Sequence, residues 1–168
     1  LCFERNAILV NTLNKERIIM EKNEKAFESF LQVCTVVKDA KKAAETWEKV
    51  YGIGPWEIVH ATEENCRGRK FHGVSIPDDE PHDAIVAMSE LGNLYLEIIQ
   101  PISGSSPYAE FLQEHGEGIH HLAIRQNDRF VPLMQERGNE EIFSVWIGDK
   151  FYAYYDTRKD LGFITETF

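Results

Sequence analysis

The chain has 168 residues, 43% of them hydrophobic, which is enough for one core or two small fused ones. Its 28 acidic and 18 basic residues leave a net charge of -10, which argues against nucleic acid and anionic membrane as general partners. No apolar run is long enough to span a bilayer, and Cys2, Cys34 and Cys66 are too few and scattered for a disulfide framework or a cysteine zinc site, so a soluble protein of the reducing cytoplasm is expected.

The opening stretch, LCFERNAILVNTLNKE, carries acidic residues and no hydrophobic segment of the signal-peptide kind. Lys15-Glu16-Arg17, read as codons, would be a purine-rich ribosome-binding tract, which makes Met20 the expected natural start. EKNEKAFESFLQ reads as a helix, so residues 1–29 are expected to form a helical N-terminal extension. LQVCTVV then reads as a strand. Asp39 is placed as an N-cap, with Ala40, Ala43, Ala44, Trp47, Val50 and Tyr51 on one helical face and Gly52 as the stop. WEIVHA is the next strand, TEENCRGRKFHG a polar loop, and DAIVAMSEL and NLYLEIIQP two further strands. SSPYAEFLQEHGEG predicts a linker helix, with Pro107 at its start and Gly116 past its end.

From Gly118 the same order returns. IHHLAIRQ is a strand, Asp128 is placed as a cap, and Phe130, Leu133 and Met134 form a helical stripe ending at Gly138, with Pro132 in its first turn. EIFSVWIG, KFYAYYDT and GFITETF are three more strands. The fold class is therefore α+β: two tandem β-α-β-β-β modules whose sheets curve around a shared cleft. Module one is expected over residues 30–101, the linker helix over 102–117 and module two over 118–168, as one domain spanning 30–168.

Strand alternation puts one polar group on an apolar face of four strands. Gln32 shares a face with Cys34 and Val36, Glu97 with Tyr95 and Ile99, His121 with Ala123, and Glu166 with Ile164 and Phe168. Gln32 and His121 open the first strands of the two modules, and Glu97 and Glu166 lie in the last. A buried carboxylate is costly without a partner, and two together need a cation or a shared proton. Convergence of the four about a pseudo-twofold axis would make a divalent-metal site, with His121 as neutral imidazole and His120 pointing to the other face. Taken one at a time, a strand histidine is more often a core or surface residue and a strand glutamate is usually solvated.

VVKDAKKAAETWEKVYGI and GEGIHHLAIRQND, within this duplication, resemble the vicinal oxygen chelate superfamily. EIIQPISGSSPYAEFLQEHGEGIHHLAI is similar to its methylmalonyl-CoA epimerase branch and, more loosely, to glyoxalase I. The resemblance covers about residues 30–168 and is most specific in EHGEGIHHLAI. It implies Gln32, Glu97, His121 and Glu166 as metal ligands, with Gln32 standing where the family carries a histidine. An amide oxygen there shifts preference from Zn²⁺ or Ni²⁺ towards Mn²⁺, Mg²⁺ or Co²⁺.

The function it implies is an epimerase or isomerase that moves a proton next to a carbonyl or thioester, with Glu166 and Glu97 as ligand or base. A glyoxalase-type lyase is the nearest alternative. A non-catalytic binder, holding a small molecule between aromatics such as Trp56, Trp146, Phe151, Tyr152, Tyr154 and Tyr155, is the other. An extradiol dioxygenase would need two histidines, and only His121 is in position. Arg67, Arg69 and Lys70 could bind the phosphates of CoA or a glutathione carboxylate, although a solvated loop explains them equally well. The expected partners are a small-molecule substrate, a CoA or glutathione thioester among the candidates, and a second copy in a homodimer that covers exposed sheet edges.

Overall fold

A computed structural model describes residues 25–168. The expectations for residues 1–24, including the Met20 start, lie outside the described residues. The first strand, β1 (Phe27–Val36), begins four residues before the predicted one, so EKNEKAFESFLQ is not helical from Phe27 onward. The cause is long-range pairing: β1 runs antiparallel to β7 (Gly118–Gln126) from Phe27 opposite Gln126 to Val36 opposite Gly118. Phe30 also packs on Phe27 and Phe163, which local helical propensity cannot offer.

After β1 come α1 (Ala40–Tyr51), β2 (Glu57–Thr62), β3 (Cys66–Phe71), β4 (Val74–Ser75), β5 (Asp83–Leu91) and β6 (Leu94–Ser103). Next are α2 (Pro107–His115), β7, α3 (Phe130–Arg137), β8 (Glu141–Ile147), β9 (Lys150–Tyr155), α4 (Arg158–Leu161) and β10 (Ile164–Thr167). Asp39 caps α1 by accepting from the Lys42 N–H, and Gly52 ends it in the left-handed region at φ 69°, where a side chain would be strained. Ser106 caps α2 through the Ala109 N–H. Asp128 does not cap α3; the cap position is Arg129, and Asn127 Oδ1 accepts from its N–H.

All strands join one 10-stranded sheet in the order β2-β5-β6-β1-β7-β10-β9-β8-β3-β4. The pairs β1–β6 and β7–β10 are parallel, and β1–β7 is antiparallel between them. That symmetry is the pseudo-twofold expected from the duplication, and it runs between β1 and β7.

The predicted loop TEENCRGRKFHG contains β3, and β4 follows directly after it. Strand β3 pairs with β8 of the second module, which carries the chain from one edge of the sheet to the other. The sheet is thereby curled, and residues from both wings, such as Ala61 and Val145, line one cavity.

Helix α1 covers the convex face of module one, where Ala40 and Ala44 pack on Ile85, Ala87 and Ile98. Helix α3 covers the other module, where Phe130 and Met134 pack on Ile124, Ala153 and Tyr155. Each large apolar side chain so buried contributes about 1.5–3 kcal/mol. The third core lies on the concave face and includes Cys34, Val36, Tyr108, Phe143 and Tyr154. Among the described residues no helix is long and apolar enough to cross a membrane.

Candidate functional site

Strand register builds the site in two adjacent rows on the concave face. One row reads Tyr95, Gln32, Ala123 and Glu166 across β6, β1, β7 and β10. The next reads Glu97, Cys34, His121 and Ile164 across the same strands. The pseudo-twofold exchanges Gln32 with His121 and Glu97 with Glu166. Four polar side chains therefore meet at one point, and all are buried.

The contacts are close. Gln32 Nε2 donates to Glu97 Oε2 at 2.8 Å and to Glu166 Oε2 at 3.1 Å. His121 Nε2 lies 3.3 Å from Glu97 Oε2 and 3.1 Å from Glu166 Oε2. These two distances are those of an ion pair, yet the same nitrogen makes no hydrogen bond. We therefore read the contact as charge proximity, with the nitrogen facing the space between the oxygens. Tyr154 donates its hydroxyl to Glu166 Oε1.

His120 departs from the sequence expectation. A β-bulge on β7 places Ile119 opposite Thr35 and His121 opposite Cys34, leaving His120 as the extra residue. Alternation breaks there, so His120 does not turn to the far face. It is buried against Tyr108 and Phe111, with its Nδ1 2.8 Å from His121 Nδ1.

The titration directions assign that bond. Burial, then the charges of His121 and Arg158, push His120 down to about 2, so it is the neutral acceptor. Burial alone would lower His121, but the Cys34 sulfur and the Glu166 carboxylate outweigh it and the imidazole sits well above its ordinary value. Because the Cys34 thiol is itself raised by burial and stays neutral, we assign the effect on His121 to Glu166. His121 Nδ1–H thus donates to His120, which fixes the ring with Nε2 towards the two glutamates. Burial, opposed by His121, raises Glu166 above the carboxylate range.

These residues fit a divalent cation. Bonds of about 2.1 Å place neighbouring donors about 3.0 Å apart, and the separations of Gln32 and His121 from each carboxylate run from 2.8 to 3.3 Å. The orphaned His121 Nε2 is a ligand atom without another partner. A half-turn of the Gln32 amide would present oxygen in place of nitrogen.

A cation must displace the His121 proton. Binding is therefore expected to release at least one proton per cation near neutrality, and affinity is expected to rise at least about tenfold per pH unit there. A pH-indicator titration in weak buffer measures both. Proton-free binding, or affinity flat between about pH 6 and pH 8, would show that His121 is not displaced.

The cluster opens into a cavity of about 560 Å³. Its walls are largely apolar, among them Val59, Val86, Met88, Val145 and Tyr152. The three cations expected at a substrate are not among its lining residues. Arg69 is 1% exposed, and its guanidinium donates to the carbonyls of Pro77, Asp78 and Glu80, tying down the β4–β5 loop. Arg67 reaches the Gly148 carbonyl on the outer surface, and Lys70 is exposed on β3. Lys150, unremarked in the sequence, is the one Lys or Arg that lines the cavity among the described residues.

Of the expected aromatics, Tyr152 and Tyr154 face the cavity. Trp56 and Tyr155 pack in the convex cores, and Trp146 packs at a tilt against Phe151. Cys34 is a member of the cluster that the sequence does not single out, and Tyr154 is expected there only as a binder's aromatic, not as a partner of Glu166. The only local signal for Cys34 is the strand face it shares with Gln32.

A family model described as Glyoxalase/Bleomycin resistance protein/Dioxygenase superfamily matches residues 31–151. Human mitochondrial methylmalonyl-CoA epimerase is 30% identical over 103 residues, covering 61% of this chain and 48% of that protein. The uncharacterised protein YqjC of Bacillus subtilis (strain 168) is 40% identical over 79 residues, covering 45% of this chain and 54% of that protein. The chain thus spans about half the length of the curated relatives it matches. Among solved structures, a variant of Streptomyces coelicolor methylmalonyl-CoA epimerase in complex with 2-nitronate-propionyl-CoA superposes with TM-score 0.58 at 17% identity, covering 84% of this chain and 93% of that one. The Mycobacterium tuberculosis methylmalonyl-CoA epimerase gives TM-score 0.56 at 17% identity, covering 85% and 88%. At that identity the likeness is one of fold.

Proposed function

The chain belongs to the glyoxalase/bleomycin resistance protein/dioxygenase superfamily, and from that premise we propose that it is a metal-dependent epimerase or isomerase acting next to a carbonyl or thioester. The observation that carries this reading is the convergence of Gln32, Glu97, His121 and Glu166 on an apolar cavity, with His121 Nε2 unpartnered among them. Gln32, Glu97, His121 and Glu166 would hold the cation. When bound, it supplies Lewis-acid stabilisation of negative charge on the substrate's carbonyl oxygen.

The chain's own residues do the rest. Glu97 is the proton acceptor, because its Oε1 makes no hydrogen bond among the described residues and its side chain lines the cavity. Glu166 is held by Tyr154 and is the more deeply buried of the two. The two carboxylates come from different modules, Glu97 on β6 and Glu166 on β10. Apolar walls exclude water and strengthen each electrostatic contact.

The substrate proposed is an α-substituted acyl thioester, the class suggested by the epimerase relatives. The test is to incubate the protein, with Mn²⁺, Co²⁺, Mg²⁺, Ni²⁺ or Zn²⁺, with methylmalonyl-CoA and then other α-substituted acyl-CoA thioesters in D₂O, following the α proton by NMR. Metal-dependent exchange is expected; none with any cation overturns the reading. A glyoxalase I-like lyase is the second reading. Lys150, the one Lys or Arg lining the cavity among the described residues, suits a carrier bearing carboxylates better than one bearing several phosphates. Turnover of a glutathione hemithioacetal in place of the thioesters would favour it.

A further inference from the structure

Cys34 lies inside the cluster but is not among the four residues proposed to hold the cation. It stands between Glu97 and His121 in one row of the sheet, on the strand shared by both. It is 0% exposed, and its sulfur, a Glu97 oxygen and a His121 ring nitrogen all lie within 4.8 Å of one another. A buried cysteine is ordinarily a small hydrophobe that fills space. Packing does not demand sulfur here, because the pseudo-twofold pairs Cys34 with Ala123, also 0% exposed, and a methyl group suffices there. The unpartnered His121 Nε2 is the independent sign of a missing ligand at the same point.

We propose that Cys34 sets the metal selectivity of this site: its sulfur joins Glu97 and His121 as a donor and gives the chain a preference for thiophilic divalent cations. The inference rests on the reading that the cluster holds a cation. As the sulfur–metal bond forms, the S–H bond breaks and its proton leaves to solvent. The donor set becomes sulfur, nitrogen and oxygen in place of nitrogen and oxygen alone. Cd²⁺, Zn²⁺ and Co²⁺ then gain on Mg²⁺ and Mn²⁺, which reverses the preference expected from the Gln32 amide alone.

The experiment is a Co²⁺ titration of the chelator-stripped full chain under reducing, air-free conditions, read by absorbance. A sulfur-to-cobalt charge-transfer band in the near ultraviolet is expected beside the visible d–d bands. Cys34→Ser and Cys34→Ala should lose that band, and Cys66→Ser and Cys2→Ser should keep it. Cys34→Ala places the Ala123 side chain at its symmetry-related position, and circular dichroism checks that it folds. In competition, Cys34→Ala should reduce Cd²⁺ binding relative to Mn²⁺ by at least about tenfold.

Visible d–d bands without the charge-transfer band would overturn this proposal and leave the function reading standing. Loss of the band in Cys66→Ser or Cys2→Ser, or its survival in both Cys34 variants, would also overturn it. Failure of the wild-type chain to bind Co²⁺, Cd²⁺ or Mn²⁺ would remove the cation reading itself, and this proposal with it.

Discussion

Replacing His121 with alanine is expected to abolish cation binding and α-proton exchange, and to destabilise the metal-free protein by about 3–5 kcal/mol in mildly acid solution. Its imidazole stands 3.1 Å from Glu166 and 3.3 Å from Glu97, and all three are buried. Removing it leaves two carboxylates facing each other without a counter-charge. The cost depends on pH in a definite direction. The folded-state value of His121 is raised above its ordinary 6.5, so the protonated ring's contribution is fully present below that value. It is lost as pH rises through the folded-state value, so the cost of the substitution should shrink in alkali. Urea unfolding of both proteins at about pH 6 and about pH 9, with elemental analysis of natively purified material, measures this. Stoichiometric metal in the variant, with exchange within about tenfold of the parent, would remove His121 from the site.

Glu97→Gln should lower the rate of α-proton exchange at saturating cation and substrate by about 10²–10⁴-fold. The change keeps the shape of the side chain and leaves Gln32, His121 and Glu166 to hold the cation. An amide cannot accept the proton, so the loss should fall on kcat, with KM within about threefold. Glu166→Gln, assayed in the same way, distinguishes the two carboxylates. Its Oε1 already accepts the Tyr154 hydroxyl and it is only 1% exposed, so it has less freedom to meet a substrate proton. A Glu97→Gln enzyme with kcat within tenfold of the parent would reassign the proton acceptor.

Much of this geometry is legible in the sequence. The repeated β-α-β-β-β order puts Gln32 and His121, and likewise Glu97 and Glu166, in equivalent positions of the two modules, and the sheet carries the four to one point. The β3 segment reads as a loop in the sequence because its Arg and Lys residues lack an apolar pattern. Its partner is β8, with Cys66 opposite Ile147, a pairing no local window contains. Arg69 reads in the sequence as a substrate contact because a guanidinium is ordinarily exposed, whereas here one of its terminal nitrogens donates to three loop carbonyls in the interior.

By itself, then, the sequence determined the module order, the faces of the strands and which polar residues stand in equivalent places, since alternation and helical spacing are local properties of the chain. The tertiary structure alone decided the bulge that turns His120 onto His121, the entry of Cys34 and Tyr154 into the cluster, and the capture of Arg69 by a loop. Those depend on hydrogen bonds and contacts between residues distant along the chain, such as Gln32 and Glu166, 134 positions apart. Register across paired strands fixes them, and register is set by the assembled sheet.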